Sequence, residues 1–298
     1  MQLRNPLMRR TAHILFALAA LLWTGCSEHT DPLPGDTAGR AIAFSCVEAG
    51  TRAEETTEET LRMFRVSARW NRPTGDPVND YMDDQLVEKR DGAWIYSPVC
   101  YMPTQGTVDF FAYSPVDDPG LDDCMFSDEL VLLQYTIPTH PAKQKDFVIA
   151  LTLGQTSPKI PLTFIHTLAS VRVEVKSSGN PISIENIVLS GLSNAGTLTC
   201  EFDSKKAIPW SWSVDNTSSD YTLFDGKPIT VTDAGYTSII DPNVVGTLLV
   251  IPQANNSLAP FTLQVTYSNG SESDLKSFPL SSDFAFDMGQ KYVFQIEI

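Results

Sequence analysis

Histidine, cysteine and basic residues are scarce in this sequence, and each shortage removes a class of function. Four His occur in 298 residues. His13 falls in an N-terminal leader and His29 in the polar stretch behind it. That leaves His140, in the Pro-flanked loop PTHPAK, and His166, between Ile165 and Thr167 in a strand-like apolar context. No G-x-S-x-G turn accompanies either, so a Ser-His-Asp hydrolase is not indicated. Five Cys occur, with no C-x-x-C pair and no Cys/His spacing of a zinc site. No P-loop and no dinucleotide-binding glycine pattern follows a strand. The expectation is a protein without cofactor or metal, and not an enzyme. Lys and Arg total 21 against 36 Asp and Glu, for a net charge of −15. A chain this acidic repels phosphates, which sets nucleic acid aside as a partner.

Long hydrophobic runs are missing too, with one short exception. Arg4, Arg9 and Arg10 precede ILFALAALLW, Ile14 to Trp23, and then Thr24-Gly25-Cys26. The run is shorter than the roughly 20 residues a spanning helix needs. Basic residues, a short apolar run and small residues before a cysteine describe a lipoprotein signal peptide, residues 1–25, with Cys26 as the lipidated first residue. Trp23 stands where such signals usually carry Leu, and Leu22 lies one place further out. The lipid is then the chain's sole hold on the membrane, since two or more acyl chains suffice for stable anchoring. Export also places Cys46, Cys100, Cys124 and Cys200 in an oxidising compartment. They allow three disulfide pairings, or all four can serve as small buried hydrophobes.

Residues 26–40 read as a tether, polar with Pro and Gly. Strand signals follow. Ile42, Phe44 and Cys46 alternate with Ala43 and Ser45. Gly50, Thr51 and Arg52 form a small turn, and an acidic, Thr-rich run extends from Glu54 to Glu59. Phe64, Val66, Ala68 and Trp70 share one face of MFRVSARW. TVDFFAYSP is apolar on both faces. Asp91-Gly92 marks a hairpin turn. Val171, Val173 and Val175 alternate with charged residues, as do Tyr292, Phe294, Ile296 and Ile298 with Val293, Gln295 and Glu297. There is no fixed-period repeat and no amphipathic helix beyond two turns. With 20 Pro and 17 Gly, this pattern predicts an all-β fold of two tandem β-sandwiches, 41–157 and 158–298, divided near GQTSPKIP. The acidic clusters Asp80, Asp83, Asp84 and Asp117, Asp118, Asp122, Asp123 lack EF-hand spacing and read as solvated loops.

Several phrases in this order resemble the fimbrillin family of Bacteroidales bacteria: TGC, IAFS…AGTRA, VDFFAYSP, PLTFIHTLASVRVEV and FDMGQKYVFQIEI. The most telling are Phe164-x-His166-x-Leu168-Ala169 and Gly289-Gln290-Lys291-Tyr292-x-Phe294. Asp36-Thr37-Ala38 is similar to the short O-glycosylation sequence of exported proteins in related bacteria. The resemblance implies two transthyretin-like β-sandwich domains and export as an outer-membrane lipoprotein, with final placement in a cell-surface fimbrium. It further implies that an Arg-specific surface protease cuts between Arg52 and Ala53. The strand carrying Ile42, Phe44 and Cys46 would leave, and a strand from another fimbrial subunit would take its place. A disulfide at Cys46 would hold that strand covalently. GQKYVFQIEI reads as an integral strand, which favours a tip or accessory subunit, with a host or bacterial surface ligand as a further partner. The alternative is a lipid-anchored glycan- or ligand-binding β-sandwich that does not polymerise, with Trp210 and Trp212 of PWSWS as its ligand platform.

Overall fold

In the computed structural model the described residues are 40–48, 60–127, 129–203, 207, 209–239, 247–255, 259–270 and 272–298. The leader, Cys26, the tether through residue 39 and the Arg52–Ala53 bond lie outside them. Apart from a 3₁₀ turn at Pro141–Lys143, every element among the described residues is a strand. None of them is a helix long and apolar enough to cross a membrane.

The first nine strands are β1 Ala43–Glu48, β2 Met63–Asn71, β3 Val78–Arg90, β4 Ala93–Ile95, β5 Thr107–Ser114, β6 Leu121–Phe126, β7 Leu130–Thr136, β8 Val148–Gln155 and β9 Lys159–His166. Seven of them form one sheet in the order β1-β9-β8-β5-β2-β3-β4. The β3–β4 hairpin closes on Asp91 and Gly92, whose φ values of 52° and 80° are those of a two-residue turn with both central residues left-handed. Glycine takes that conformation without penalty and aspartate tolerates it, which is why this dipeptide marks the turn in the sequence.

β5 lies in the middle of the sheet and is buried from Val108 to Ser114. Its alternate side chains enter two different cores. Val108, Phe110 and Ala112 face a first core with Phe44, Phe64, Val66 and Ile160. Phe111 and Tyr113 face a second core, together with Phe147, just ahead of the neighbouring β8, and Ile149 on it. A strand covered on both sides has no polar face, and TVDFFAYS has none beyond Asp109, whose carboxylate accepts from Gly154 N at 2.7 Å and Asn71 Nδ2 at 2.7 Å. The sheet runs on through β9 to His166, past the Gly154–Pro161 breakers.

The remaining strands are β10 Ala169–Lys176, β11 Ile182–Leu192, β12 Ala195–Glu201, β13 Ser211–Val214, β14 Ser219–Phe224, β15 Ile229–Val231, β16 Thr237–Ser238, β17 Leu248–Val250, β18 Gln253–Ala254, β19 Thr262–Ser268, β20 Ser273–Pro279, β21 Ala285–Phe286 and β22 Lys291–Glu297. β10 pairs β17 and β16 along one edge and β22, in parallel, along the other. β11 lies between β14 and β15 on one side and β19 on the other, with β20 beyond. Val171, Val173, Ile184, Leu189, Leu263 and Val265 from these two sheets belong to the second core.

A further sheet, β13-β12-β7-β6, takes two strands from each half of the sequence. Its central ladder pairs Leu130–Thr136 of β7 with Ala195–Glu201 of β12 over seven residues. The acidic turn before β6 is ordered rather than merely solvated: Asp118 accepts from Gly120 N at 2.9 Å and from Tyr135 Oη at 3.0 Å.

Cys124 lies opposite Leu133, and Cys200 opposite Val131. Their strands are two apart in the sheet, about 10 Å, which exceeds the roughly 7 Å limit for a disulfide between Cα atoms. Cys46 belongs to the other core. Cys46, Cys100, Cys124 and Cys200 form no disulfide with one another. Burial pushes the Cys124 thiol up to about 12, aided by the Asp84 and Asp123 carboxylates, and Cys200 up to about 11. At pH 8 both should alkylate with iodoacetamide at least ~100-fold more slowly in the folded chain than in urea. Because the folded state holds these protons more tightly than the unfolded state, stability falls as pH rises above the ordinary thiol value of 9.0. Peptide mapping after timed alkylation measures the first effect, and urea titrations at pH 8 and 10 the second.

Candidate functional site

The pairing partners of the first strand all lie far along the chain. β1 runs parallel to β9 in six pairs, from Ala43 opposite Lys159 to Glu48 opposite Phe164. Ahead of it, the backbone turns to a second partner. Ile42 N donates to Cys100 O at 3.0 Å, Met102 N donates to Arg40 O at 2.8 Å, and Ala41 bridges Tyr101 antiparallel. Tyr96 Oη donates to Ile42 O at 2.9 Å. The segment 96–102 follows β4, the opposite edge of the same sheet. The start of β1 therefore stitches the two edges together and closes the first core.

Alternation decides what enters that core. Ile42, Phe44 and Cys46 point inward and are buried, while Ala43, Ser45 and Val47 are exposed. Phe44 is the centre of an aromatic cluster. Its ring meets Phe64 at 5.6 Å and Phe110 at 6.1 Å edge-on, and Tyr96 at 5.6 Å. Phe64 in turn packs on Phe164 at 5.6 Å and Trp94 at 5.0 Å. Burying Ile42 and Phe44 contributes about 1.5–3 kcal/mol each. Without β1, the β9 edge would lose its ladder and the core would open to water.

Arg40, read from the sequence as the last tether residue, is bound into the fold. Its Nε and Nη2 donate to Met102 O at 2.8 and 2.6 Å, and Nη2 donates also to Pro103 O. Nothing in its composition marks this role, because 96–103 is irregular and carries no period to pair with.

The two sequence motifs meet although they lie more than a hundred residues apart. Phe164 faces the first core; Leu168 and Ala169 face the second. Gly289 N donates to Leu168 O at 3.2 Å, and Ser170 N to Gln290 O at 2.9 Å, where β22 joins β10. Gly289 has φ +73°, a left-handed turn that suits glycine. His166 is buried, with Nδ1 2.7 Å from Asp146 Oδ2. Tyr292 and Phe294 are half-buried against Phe284 and Phe286. Trp210 and Trp212 are half-buried as well. Trp212 Nε1 donates to Thr167 O at 2.8 Å and Trp210 lies 6.3 Å from Phe111, so both rings pack against the second core, Trp212 at the β9–β10 turn and Trp210 over β5. Arg52 and Ala53 lie outside the described residues. Among those residues no group of three His, Cys, Asp or Glu could hold a metal.

Among the described residues the chain is all-β apart from one 3₁₀ turn, and its first core is closed by the edge strand β1. The family model for fimbrillin-like proteins matches residues 51–298, and the chain belongs to that family. It is 24% identical over 302 residues to a Bacteroides uniformis protein described as a candidate fimbrium subunit, Fim1C, covering 98% of this chain and 91% of that one. The crystal structure of a candidate cell adhesion protein from Bacteroides uniformis superposes with a TM-score of 0.54 at 18% identity, over 87% of this chain and 93% of the other, and shares the fold. One from Bacteroides ovatus, at 11% identity, gives 0.48 over 86% and 91%.

The packing predicts a sharp contrast along β1. Phe44→Ala should cost about 3–5 kcal/mol, and Val47→Ala, on the exposed face, less than about 0.5 kcal/mol. Urea unfolding midpoints of the two variants check this.

Proposed function

We propose that this chain is an exported subunit of a cell-surface fimbrium, lipidated at Cys26, that is activated by loss of β1. An Arg-specific protease cuts between Arg52 and Ala53, β1 leaves, and a strand from a neighbouring subunit enters the same slot. Its two halves are read as tandem transthyretin-like β-sandwiches, with the division placed after β9, which belongs to the first sheet, rather than near residues 157 and 158. The observation that carries the proposal is the placement of β1. It is a single strand at the edge of its sheet, it fills an aromatic slot with Ile42, Phe44 and Cys46, and it ends just before Arg52 in sequence. Strand addition supplies ladder hydrogen bonds for affinity and inward side chains for register. The long parallel pairing of β22 with β10 supports a tip or accessory position, since that strand is built into its own sheet. Adhesion to a host or bacterial surface fits this position.

Arg52→Gln tests the reading. After treatment with an Arg-specific protease, the unaltered chain should lose its N-terminal segment with or without reductant and form SDS-resistant ladders with partner subunits. The Arg52→Gln chain should keep the segment and stay out of the ladders. Equal incorporation of the variant would refute activation at this bond.

A further inference from the structure

We propose that the slot of β1 selects its incoming strand by a guanidinium at the leading end, and that it rejects the β22 strand of a second copy of this chain. The inference rests on the strand-exchange reading above and adds the chemistry of the partner.

The mould is defined by what β1 now places in it. Register is fixed by the parallel pairing of Ala43–Glu48 with β9 and, ahead of it, by the bonds of Ile42 N to Cys100 O and of Met102 N to Arg40 O, which set the four positions 40, 42, 44 and 46. Three of these positions are apolar pockets. Ile42 is buried at the clamp, where Cys100 O and Tyr96 Oη hold its backbone. Burial pushes the Tyr96 phenol up to about 12, so it remains a donor across physiological pH. Phe44 occupies the box of Phe64, Phe110 and Tyr96. Cys46 fills a smaller place beside Leu162.

The fourth position is different in kind. Any strand can satisfy Cys100 O and the β9 ladder with its backbone. Met102 O and Pro103 O are satisfied by the Arg40 side chain, which bonds both carbonyls with one planar fork. Met102 itself is 3% exposed, so its carbonyl lies close to the core. When β1 leaves, two aligned carbonyls lose their donor. A partner that restores the bonds gains a charge-assisted contact, and one that cannot leaves them poorly paired. A net charge of −15 favours the same sign of ligand. The implied motif is Arg-x-aliphatic-x-Phe-x-small, lying parallel to β9.

The chain's own last strand does not match. With Phe294 set at the place of Phe44, Gln290 falls where Arg40 stands, Tyr292 where Ile42 stands, and Ile296 where Cys46 stands. It lacks the cation, and two of its side chains are larger than the pockets they would enter. The β22 strand of a second copy is therefore a poor occupant.

The test uses the full chain after Arg-specific cleavage and fluorescein-labelled peptides under reducing conditions. The probes are the β1 sequence RAIAFSCVE, the same peptide with Arg40→Gln, the same with Phe44→Ala, and QKYVFQIEI from β22. The β1 peptide should bind saturably at one site. Arg40→Gln should weaken binding about tenfold or more, and Phe44→Ala about a hundredfold. The β22 peptide should be at least tenfold weaker than the β1 peptide. Equal affinity of the Arg40→Gln peptide would overturn the guanidinium requirement, and equal affinity of the β22 peptide would overturn the rejection of β22. Failure of every peptide to enter the cleaved chain would instead overturn strand exchange itself.

Discussion

Burial of β5 on both faces is the constraint from which the rest of the architecture follows. A central strand with Phe110 on one side and Phe111 on the other needs a cover for each. The second core solves this with whole sheets from the later part of the chain. The first core is bounded mainly by its own seven-stranded sheet, curled until its edges approach, and β1 supplies the closing piece. A closed sheet hides its edges and so avoids indiscriminate pairing. It also concentrates the means of opening in a single strand.

Local features were readable from the residues alone. Alternation in MFRVSARW, the two-sided apolar run of β5, the valine row of β10 and the Asp91-Gly92 turn all report which face a side chain takes or where the chain reverses. Those depend on neighbours within a few positions. Partner choice does not. Nothing in LVLLQYT or AGTLTCE announces that β7 and β12 pair, and nothing in AIAFSC states that its neighbour is β9 in parallel. The clamp at Arg40 was hidden for the same reason, since its acceptors are backbone carbonyls of an irregular segment. The indoles of Trp210 and Trp212 illustrate the reverse difficulty: a W-x-W pattern next to proline looks presentable to solvent, and only the position of Thr167 O and Phe111 shows what the rings lean on.

The β9–β10 turn gathers much of the remaining order. His166 and Asp146 meet there as a buried pair, Trp212 caps Thr167 O, and the approach to β22 is fixed by Leu168 O. Residues from four distant stretches converge on a few carbonyls. That convergence accounts for the spacing of the two sequence motifs, which are neighbours in space rather than separate signatures. The β7–β12 ladder adds a second tie between the halves. Together they leave little freedom for one half to swing against the other, so ordering the subunit within an assembly costs less conformational entropy than it would for two linked beads.

The parallel pairing of β1 with β9 also orders events in time. β1 is the earliest of the described strands to leave the ribosome, yet its ladder is made of residues 159–164 and its clamp of residues 96–102. It has no place to dock until more than half of the polypeptide has emerged. Loop closure over such a separation is slow compared with hairpins such as β3–β4. The segment synthesised first is thus seated late, and the body of the first sheet must hold its curvature in the interval.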